Sequence, residues 1–188
     1  MQFRILVLCA LLCGCVTRNT LVPVTSLPVR DEGCSCCSPL HVVAQDFAPG
    51  ATLLMSARPR DPRGPYISVG LALAPGVSAS FVTPNILVWA AGGEKHAYPI
   101  ESVSSGSEHF PIPIITYSAT ALLTGTSRMA HLKAPYGPVE TFSAGVALSD
   151  PLGTPLFIAA PSVRIGETTF QPEPVQFNLV SESVACVQ

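Results

Sequence analysis

Proline spacing is the feature that most restricts the fold of this chain. The 188 residues include 19 prolines, and beyond the first 22 residues the longest interval without one runs from Ile114 to Ala134. A proline inside a helix costs about 3 kcal/mol, because it removes a backbone hydrogen bond and clashes with the preceding turn. Long helices therefore have almost no place in this sequence.

Alternation of apolar and polar residues predicts strands instead. In the interval 114–134, Ile115, Tyr117 and Leu123 share one phase, whereas Thr116 and Ser118 take the other. This period of two is typical of a half-buried strand. The other predicted strands are approximately Leu40–Phe47, Ala51–Arg58, Tyr66–Ala74, Ser78–Thr83, Ile86–Ala90, His96–Val103, Glu140–Ser149, Leu156–Ala159, Ser162–Ile165 and Gln176–Val180. Short strands separated by Gly and Pro turns predict an all-β fold, an antiparallel β-sandwich that could be immunoglobulin-like.

An internal repeat is visible in two of these strands. Ser68–Leu73 reads SVGLAL and Ser143–Leu148 reads SAGVAL, with four of six residues identical. A Gly-Pro pair precedes each segment, and a proline turn follows it. We predict two copies of one β unit, 40–103 and 114–182, joined through Ser104–Pro113. The alternative is a pair of generic hairpins that share the same turn chemistry.

The charge balance excludes one class of partner. There are 10 Lys and Arg residues against 12 Asp and Glu, a formal net charge of -2. A general nucleic-acid binder needs a basic face, so no nucleic-acid partner is expected. Apolar residues make up 48% of the chain, which argues against intrinsic disorder of the whole.

The N-terminus has the pattern of a secretory signal peptide. Arg4 provides a short positive region, and Ile5–Leu12 is an uncharged apolar run that is too short to span a bilayer. The run ends in Leu12-Cys13-Gly14-Cys15, which resembles the lipobox of bacterial lipoproteins.

The resemblance implies a lipid anchor. In that family the chain is cut before the cysteine, whose thiol receives a diacylglycerol and whose amine receives an acyl chain. Several acyl chains anchor a protein stably, whereas one chain binds a membrane only marginally. Val16 follows Cys15, and by the sorting pattern of the family a residue other than Asp implies delivery to the outer membrane, on its periplasmic side. The alternative is an ordinary signal peptide with a soluble product.

Three regions follow from this interpretation. Residues 1–14 are expected to be removed, residues 15–38 to form the lipidated N-terminus and a tether, and residues 39–188 to form the β domain. The Thr, Pro and Val mixture of residues 16–33 also fits an irregular N-terminal strand of the domain.

The cysteines predict disulfide bonds. Cys34, Cys36 and Cys37 precede the first clear strand, and Cys186 is third from the end. Four cysteines beyond Cys15 form an even number in an oxidising compartment, and one of the cluster is expected to pair with Cys186. The alternatives are free thiols or a metal site in which the three thiolates join His41, although the cluster lacks the common C-x2-C spacing. We expect neither a metal nor a cofactor.

No catalytic motif is found. The sequence has no G-x-S-x-G nucleophile elbow, no P-loop and no dinucleotide-binding glycine pattern. The chain is therefore expected to be a non-enzymatic structural or protein-interaction module of the cell envelope. Its partners would be the membrane, through the anchor, and another envelope protein or a component of the cell wall or outer membrane.

Two groups of residues are candidates for ligand binding. Arg58, Arg60 and Arg63 lie in a proline-stiffened loop, and guanidinium groups bind phosphate or acidic sugars in a bidentate manner. Trp89 and Tyr98 flank a predicted hairpin, where exposed rings would form a stacking platform for sugars. These residues support an alternative function, a binding module for a carbohydrate or an anionic envelope ligand. The competing interpretations are a solvated loop and two aromatic residues packed in the core.

Overall fold

The computed structural model describes residues 15–32, 40–59, 64–107, 112–127, 139–149 and 153–185. All regular elements in these ranges are β-strands, and every strand pairing is antiparallel. No helix within these ranges is long and apolar enough to cross a membrane. The all-β fold predicted from the proline spacing is confirmed.

The described residues form sixteen strands. In chain order they are β1 (Cys15–Val24), β2 (Val29–Glu32), β3 (Leu40–Ala48), β4 (Ala51–Arg58), β5 (Tyr66–Leu73), β6 (Ser78–Phe81), β7 (Asn85–Ala90), β8 (His96–Pro99), β9 (Ser102–Ser107), β10 (Ile112–Ser118), β11 (Leu123–Thr124), β12 (Glu140–Ala147), β13 (Leu156–Ala159), β14 (Val163–Ile165), β15 (Thr168–Phe170) and β16 (Val175–Ala185).

These strands form three antiparallel sheets. A seven-stranded sheet has the order β10-β9-β12-β5-β4-β3-β2, a five-stranded sheet the order β1-β16-β13-β7-β8, and a four-stranded sheet the order β11-β6-β14-β15. The arrangement is sandwich-like and differs from the two-sheet immunoglobulin pattern by its third sheet.

One hydrophobic core joins the three sheets. Alternate residues of β5, Ile67, Val69, Leu71 and Leu73, are completely buried on the inner face of the seven-stranded sheet. The same buried cluster includes side chains of the five-stranded and four-stranded sheets, among them Ile86, Val88, Phe177, Phe81 and Val163. Burial of these alternating apolar side chains supplies the main driving force for closing the sandwich.

The two segments of the internal repeat occupy equivalent positions. β5 and β12 carry the SVGLAL and SAGVAL segments and pair with each other at the centre of the seven-stranded sheet. The strand order β16-β13-β7-β8 in the five-stranded sheet is matched by β11-β6-β14-β15 in the four-stranded sheet. In this match, β6 corresponds to β13, β7 to β14, β8 to β15 and β11 to β16. Each of these two sheets thus combines strands from both halves of the chain.

The equivalence does not extend to all of the predicted repeat, 40–103 and 114–182. On the side of β5, the chain runs from the edge of the seven-stranded sheet toward its centre, from β3 to β4. On the side of β12, it runs from the centre toward the edge, from β9 to β10. Of the segment Ser104–Pro113, expected to be a joint, the described residues belong to β9 and β10, which pair with each other.

The N-terminal segment differs from the tether expected over residues 15–38. β1 forms a ladder of ten residue pairs with β16, and β2 pairs with β3. Leu21 is only 3% exposed and belongs to the core. Residues 15–24 and 29–32 are therefore part of the sheets, since they pair with β16 and β3.

The predicted strand His96–Val103 is divided in the structure. β8 belongs to the five-stranded sheet and β9 to the seven-stranded sheet. Between them lies Ile100, which is 4% exposed and packs into the core. The continuous alternation of the sequence does not reveal where a strand leaves one sheet for another.

Candidate functional site

Cys15, the predicted lipidation site, is the first residue of β1. Its Cα lies opposite that of Ala185, and β1 is an edge strand of the five-stranded sheet. Removal of residues 1–14 would therefore leave every described strand intact.

Several predicted site residues lie outside the described residues. These are Cys34, Cys36, Cys37, Cys186, Arg60 and Arg63. The disulfide bonds and the full arginine loop stay predictions.

His41, the imidazole of the alternative metal site, is held by one carboxylate. Its Nδ1 lies 2.6 Å from Oδ1 of Asp31, in the register that pairs β2 with β3. The His41 side chain is 12% exposed, and its buried Nε2 has no hydrogen-bond partner among the described residues. Among the described residues, no group of three His, Cys, Asp or Glu side chains is placed to hold a metal ion.

Arg58 is the last residue of β4 and is exposed. Its guanidinium carbon lies 5.6 Å from the ring centroid of Tyr66, the residue opposite it on β5. Tyr66 in turn covers Gly145 of β12, where an added Cβ would overlap the tyrosine ring. The cation–π contact holds the Arg58 charge beside an aromatic surface.

Trp89 and Tyr98 do not form a common platform. Tyr98 lies opposite Ile86, which is completely buried, and packs against the core. Trp89 is three positions from Ile86 on β7, so its side chain points to the opposite face of the sheet. The two candidate rings are therefore on different faces.

Two side chains lie against the Trp89 ring. The Phe157 ring stacks on it at a centroid distance of 5.6 Å and an interplanar angle of 10°. Nζ of Lys95 lies 4.7 Å from the Trp89 ring centroid. A sugar that stacks on the ring face beneath Lys95 would have to displace Lys95 first.

Tyr98 instead helps to line a cleft between two strands. Its walls are Tyr98, Pro99, Glu101 and Ser102 on one side and residues 145–147 of β12 on the other, and its volume is about 380 Å³. The cleft begins where the β9–β12 ladder stops, since the two strands pair only at Phe142↔Ser105 and Ser143↔Ser104. Both Glu101 and Ser102 are exposed.

A buried carboxylate lies further along the same strand. Glu140 is only 2% exposed, and its Oε1 accepts a hydrogen bond of 2.6 Å from Oγ of Ser105. Its Oε2 accepts hydrogen bonds from the backbone N–H, at 3.1 Å, and the hydroxyl of Thr126. Glu140 therefore ties β12 to β9 and to the segment after β11.

The sequence did not single out four of these residues. The register of the strands, which the sequence does not state, brings these residues to their contacts: Phe157, Glu101, Tyr66 and Glu140. Of the four, Glu140 carried a signal in the sequence, because it falls on the inward phase of a predicted strand and a buried carboxylate needs hydrogen-bond partners.

Comparisons with known proteins add no assignment: no family model, no curated protein and no solved structure matches this chain.

Proposed function

We propose that the chain is a lipoprotein anchored through Cys15 to the periplasmic side of the outer membrane. In this role it is a non-enzymatic module that presents its β-sandwich to another component of the envelope. The anchor raises the effective concentration of the domain for partners at the same membrane.

The observation that carries the proposal is the lipobox together with the position of its cysteine. Leu12-Cys13-Gly14-Cys15 closes an apolar segment that has the length of a signal peptide. Cleavage before Cys15 would leave the whole ladder between β1 and β16 in the mature protein. The lipid would then sit at the start of an edge strand.

The interaction role is supported by an exposed apolar edge. β10 forms one edge of the seven-stranded sheet and carries Ile114, 50% exposed, and Ile115, 41% exposed. Leu122, which follows β10, is 70% exposed. Exposed apolar residues on an edge strand are typical of a surface that pairs with another chain.

Acylation and cleavage test the anchor directly. The chain is expressed with an alkyne analogue of palmitate, and the N-terminal peptide is analysed by mass spectrometry. We expect an acylated, diacylglycerol-modified Cys15 at the mature N-terminus and flotation of the protein with vesicles. The variant Cys15→Ala should carry no label and should not float. The matched control Cys13→Ala keeps a small residue in the lipobox and should be labelled normally.

Membrane sorting is tested by one further change. Val16→Asp should move the labelled protein from the outer-membrane to the inner-membrane fraction of a density gradient. A mature protein that starts elsewhere and carries no acyl mass would overturn the proposal.

A second candidate function, binding of an anionic envelope ligand, is favoured by the Arg58 and Tyr66 contact. Arg58 is exposed and already held beside an aromatic ring, so it is ordered before a phosphate or carboxylate arrives. Arg58→Ala should weaken binding to vesicles that contain an anionic lipid, whereas the exposed residue Arg164, on β14, offers a matched control in Arg164→Ala.

A further inference from the structure

The cleft beside Tyr98 is an opening in a sheet, and its walls are made of backbone. β9 and β12 separate after the pair Ser143↔Ser104. Ser102 on one wall and Gly145 and Ala147 on the other are exposed, so no described strand fills the space between them.

The direction of the backbone groups on β12 follows from its pairing with β5. The N–H of Leu148 donates to the carbonyl oxygen of Pro65 at 2.9 Å, which continues the β5–β12 ladder by one pair. In an antiparallel ladder, successive residues direct their N–H and C=O groups alternately toward one neighbour and the other. Since Leu148 faces β5, Val146 does as well, and the backbone groups of Gly145 and Ala147 point into the cleft.

The side chains of the cleft give it a negative charge. Glu101 contributes an exposed carboxylate, and Tyr98 and Ser102 contribute hydroxyl groups. None of the described lining residues is Lys or Arg. A cationic group entering the cleft would meet Glu101 without competition from a basic residue in the cleft wall.

We propose that this cleft binds an extended peptide segment of a partner protein that carries a Lys or Arg side chain. The segment adds as a short strand along β12 and exchanges backbone hydrogen bonds with Gly145 and Ala147. Its basic side chain pairs with Glu101. Residues 145–147 offer about 10 Å of strand edge, which corresponds to about three residues of extended peptide.

Two observations favour a peptide over a carbohydrate in this place. The backbone N–H and C=O groups of Gly145 and Ala147 that point into the cleft have the spacing of a strand edge, which another strand matches. Tyr98, the aromatic residue of the cleft, is partly buried and packs against the core, which reduces the ring surface on which a sugar could stack. The inference deepens the interaction role proposed above and names its contact, but it does not require the lipid anchor.

The test uses the purified mature protein with two synthetic peptides, acetyl-Thr-Val-Lys-Val-Thr-amide and the same peptide with Glu in place of Lys. Affinity is measured by calorimetry, and hydrogen exchange with mass spectrometry locates the contact. We expect the Lys peptide to bind at least about tenfold more tightly than the Glu peptide. Exchange should slow in the fragment that contains residues 145–147 and remain unchanged in β16.

Variants separate the charge from the backbone contribution. Glu101→Lys should reverse the preference between the two peptides, whereas Glu94→Lys, in the exposed turn after β7, should leave it unchanged. Ala147→Pro removes an N–H that points into the cleft and should weaken the Lys peptide by about fivefold. Circular dichroism confirms that each variant retains its strands.

Three outcomes would overturn the inference. The first is the absence of measurable binding of either peptide to the folded protein. The second is equal affinity for both peptides, or protection that lies outside residues 145–147. The third is slower exchange in this fragment with chitotriose but not with the Lys peptide, which would identify a carbohydrate site instead. The mass of the N-terminal peptide is measured on the same sample, so a protein without acyl chains counts against the anchor and not against the cleft.

Discussion

Val69 of β5 lies directly opposite Ala144 of β12, and the two residues are also equivalents in the internal repeat. The alignment that sets Ser68 against Ser143 sets Val69 against Ala144, and the ladder pairs the same two residues. A pseudo-twofold axis therefore passes through this pair. Val69 is completely buried, and Ala144 is 7% exposed.

Truncation at this axis should weaken the whole domain. Val69→Ala leaves a cavity at the centre of the core, and we expect a loss of about 2 kcal/mol in the free energy of unfolding. The measurement is urea unfolding followed by circular dichroism. The control Val180→Ala changes a residue that is 37% exposed and should alter stability by less than about 0.5 kcal/mol. A midpoint for Val69→Ala equal to that of the control would contradict the central position of this pair.

The exchange of strands between the two halves predicts that neither half folds alone. A chain cut between Ser127 and Val139 separates β1–β11 from β12–β16, yet every sheet contains strands from both fragments. Each fragment should be unfolded or aggregated by itself, and the two should recover native circular dichroism when they are refolded together. Size-exclusion chromatography would show a 1:1 complex. A C-terminal fragment with a cooperative unfolding transition of its own would refute this prediction.

The buried Glu140 carboxylate should be important for stability. Glu140→Gln replaces one acceptor oxygen by an NH₂ group, which then faces the donors of Ser105 or Thr126. We expect a loss of about 2 kcal/mol, measured by thermal and urea unfolding. The exposed Glu101→Gln is the control and should change stability by less than about 0.5 kcal/mol. If both variants unfold at the same urea concentration, the hydrogen bonds to Glu140 do not contribute as described.

Trp89 is the single tryptophan of the chain, so its fluorescence reports on one place only. Lys95→Ala removes the ammonium group from one ring face and should shift the emission to longer wavelength and increase quenching by acrylamide. Glu94→Ala, in the same exposed turn, should leave both quantities unchanged. Identical spectra for the two variants would show that Lys95 does not cover the ring in solution.

The strands could be predicted from the sequence because alternation and proline spacing act locally. β4 and β13 have the predicted boundaries, and β3, β5, β7 and β12 differ by one or two residues. Sheet membership depends instead on which strands find each other. The transfer of the chain from β8 to β9 at Ile100 therefore has no local signal.

The candidate sites show the same limit. Aromatic residues were recognisable as candidates, but Trp89 meets Phe157 rather than Tyr98, because β13 and not β8 places a ring beside it. The cleft at Gly145 and Ala147 exists because the ladder between β9 and β12 stops after two pairs. No residue type in the sequence predicts where such a ladder stops. The predicted roles of the cysteines and of Arg60 and Arg63 stay predictions, because these residues lie outside the described part of the chain.

The ladder between β1 and β16 determines how the domain would bear mechanical load. β16 leaves the body at Val175, whereas β1 would be pulled at Cys15, the opposite end of the ten paired residues. A pull on Cys15 along the axis of β1 would load the cross-strand hydrogen bonds together in shear, whereas a pull across the sheet would open them one at a time. Pulled along its axis, the β1–β16 ladder would transmit force from a membrane to the sandwich without first separating at the pair Cys15↔Ala185.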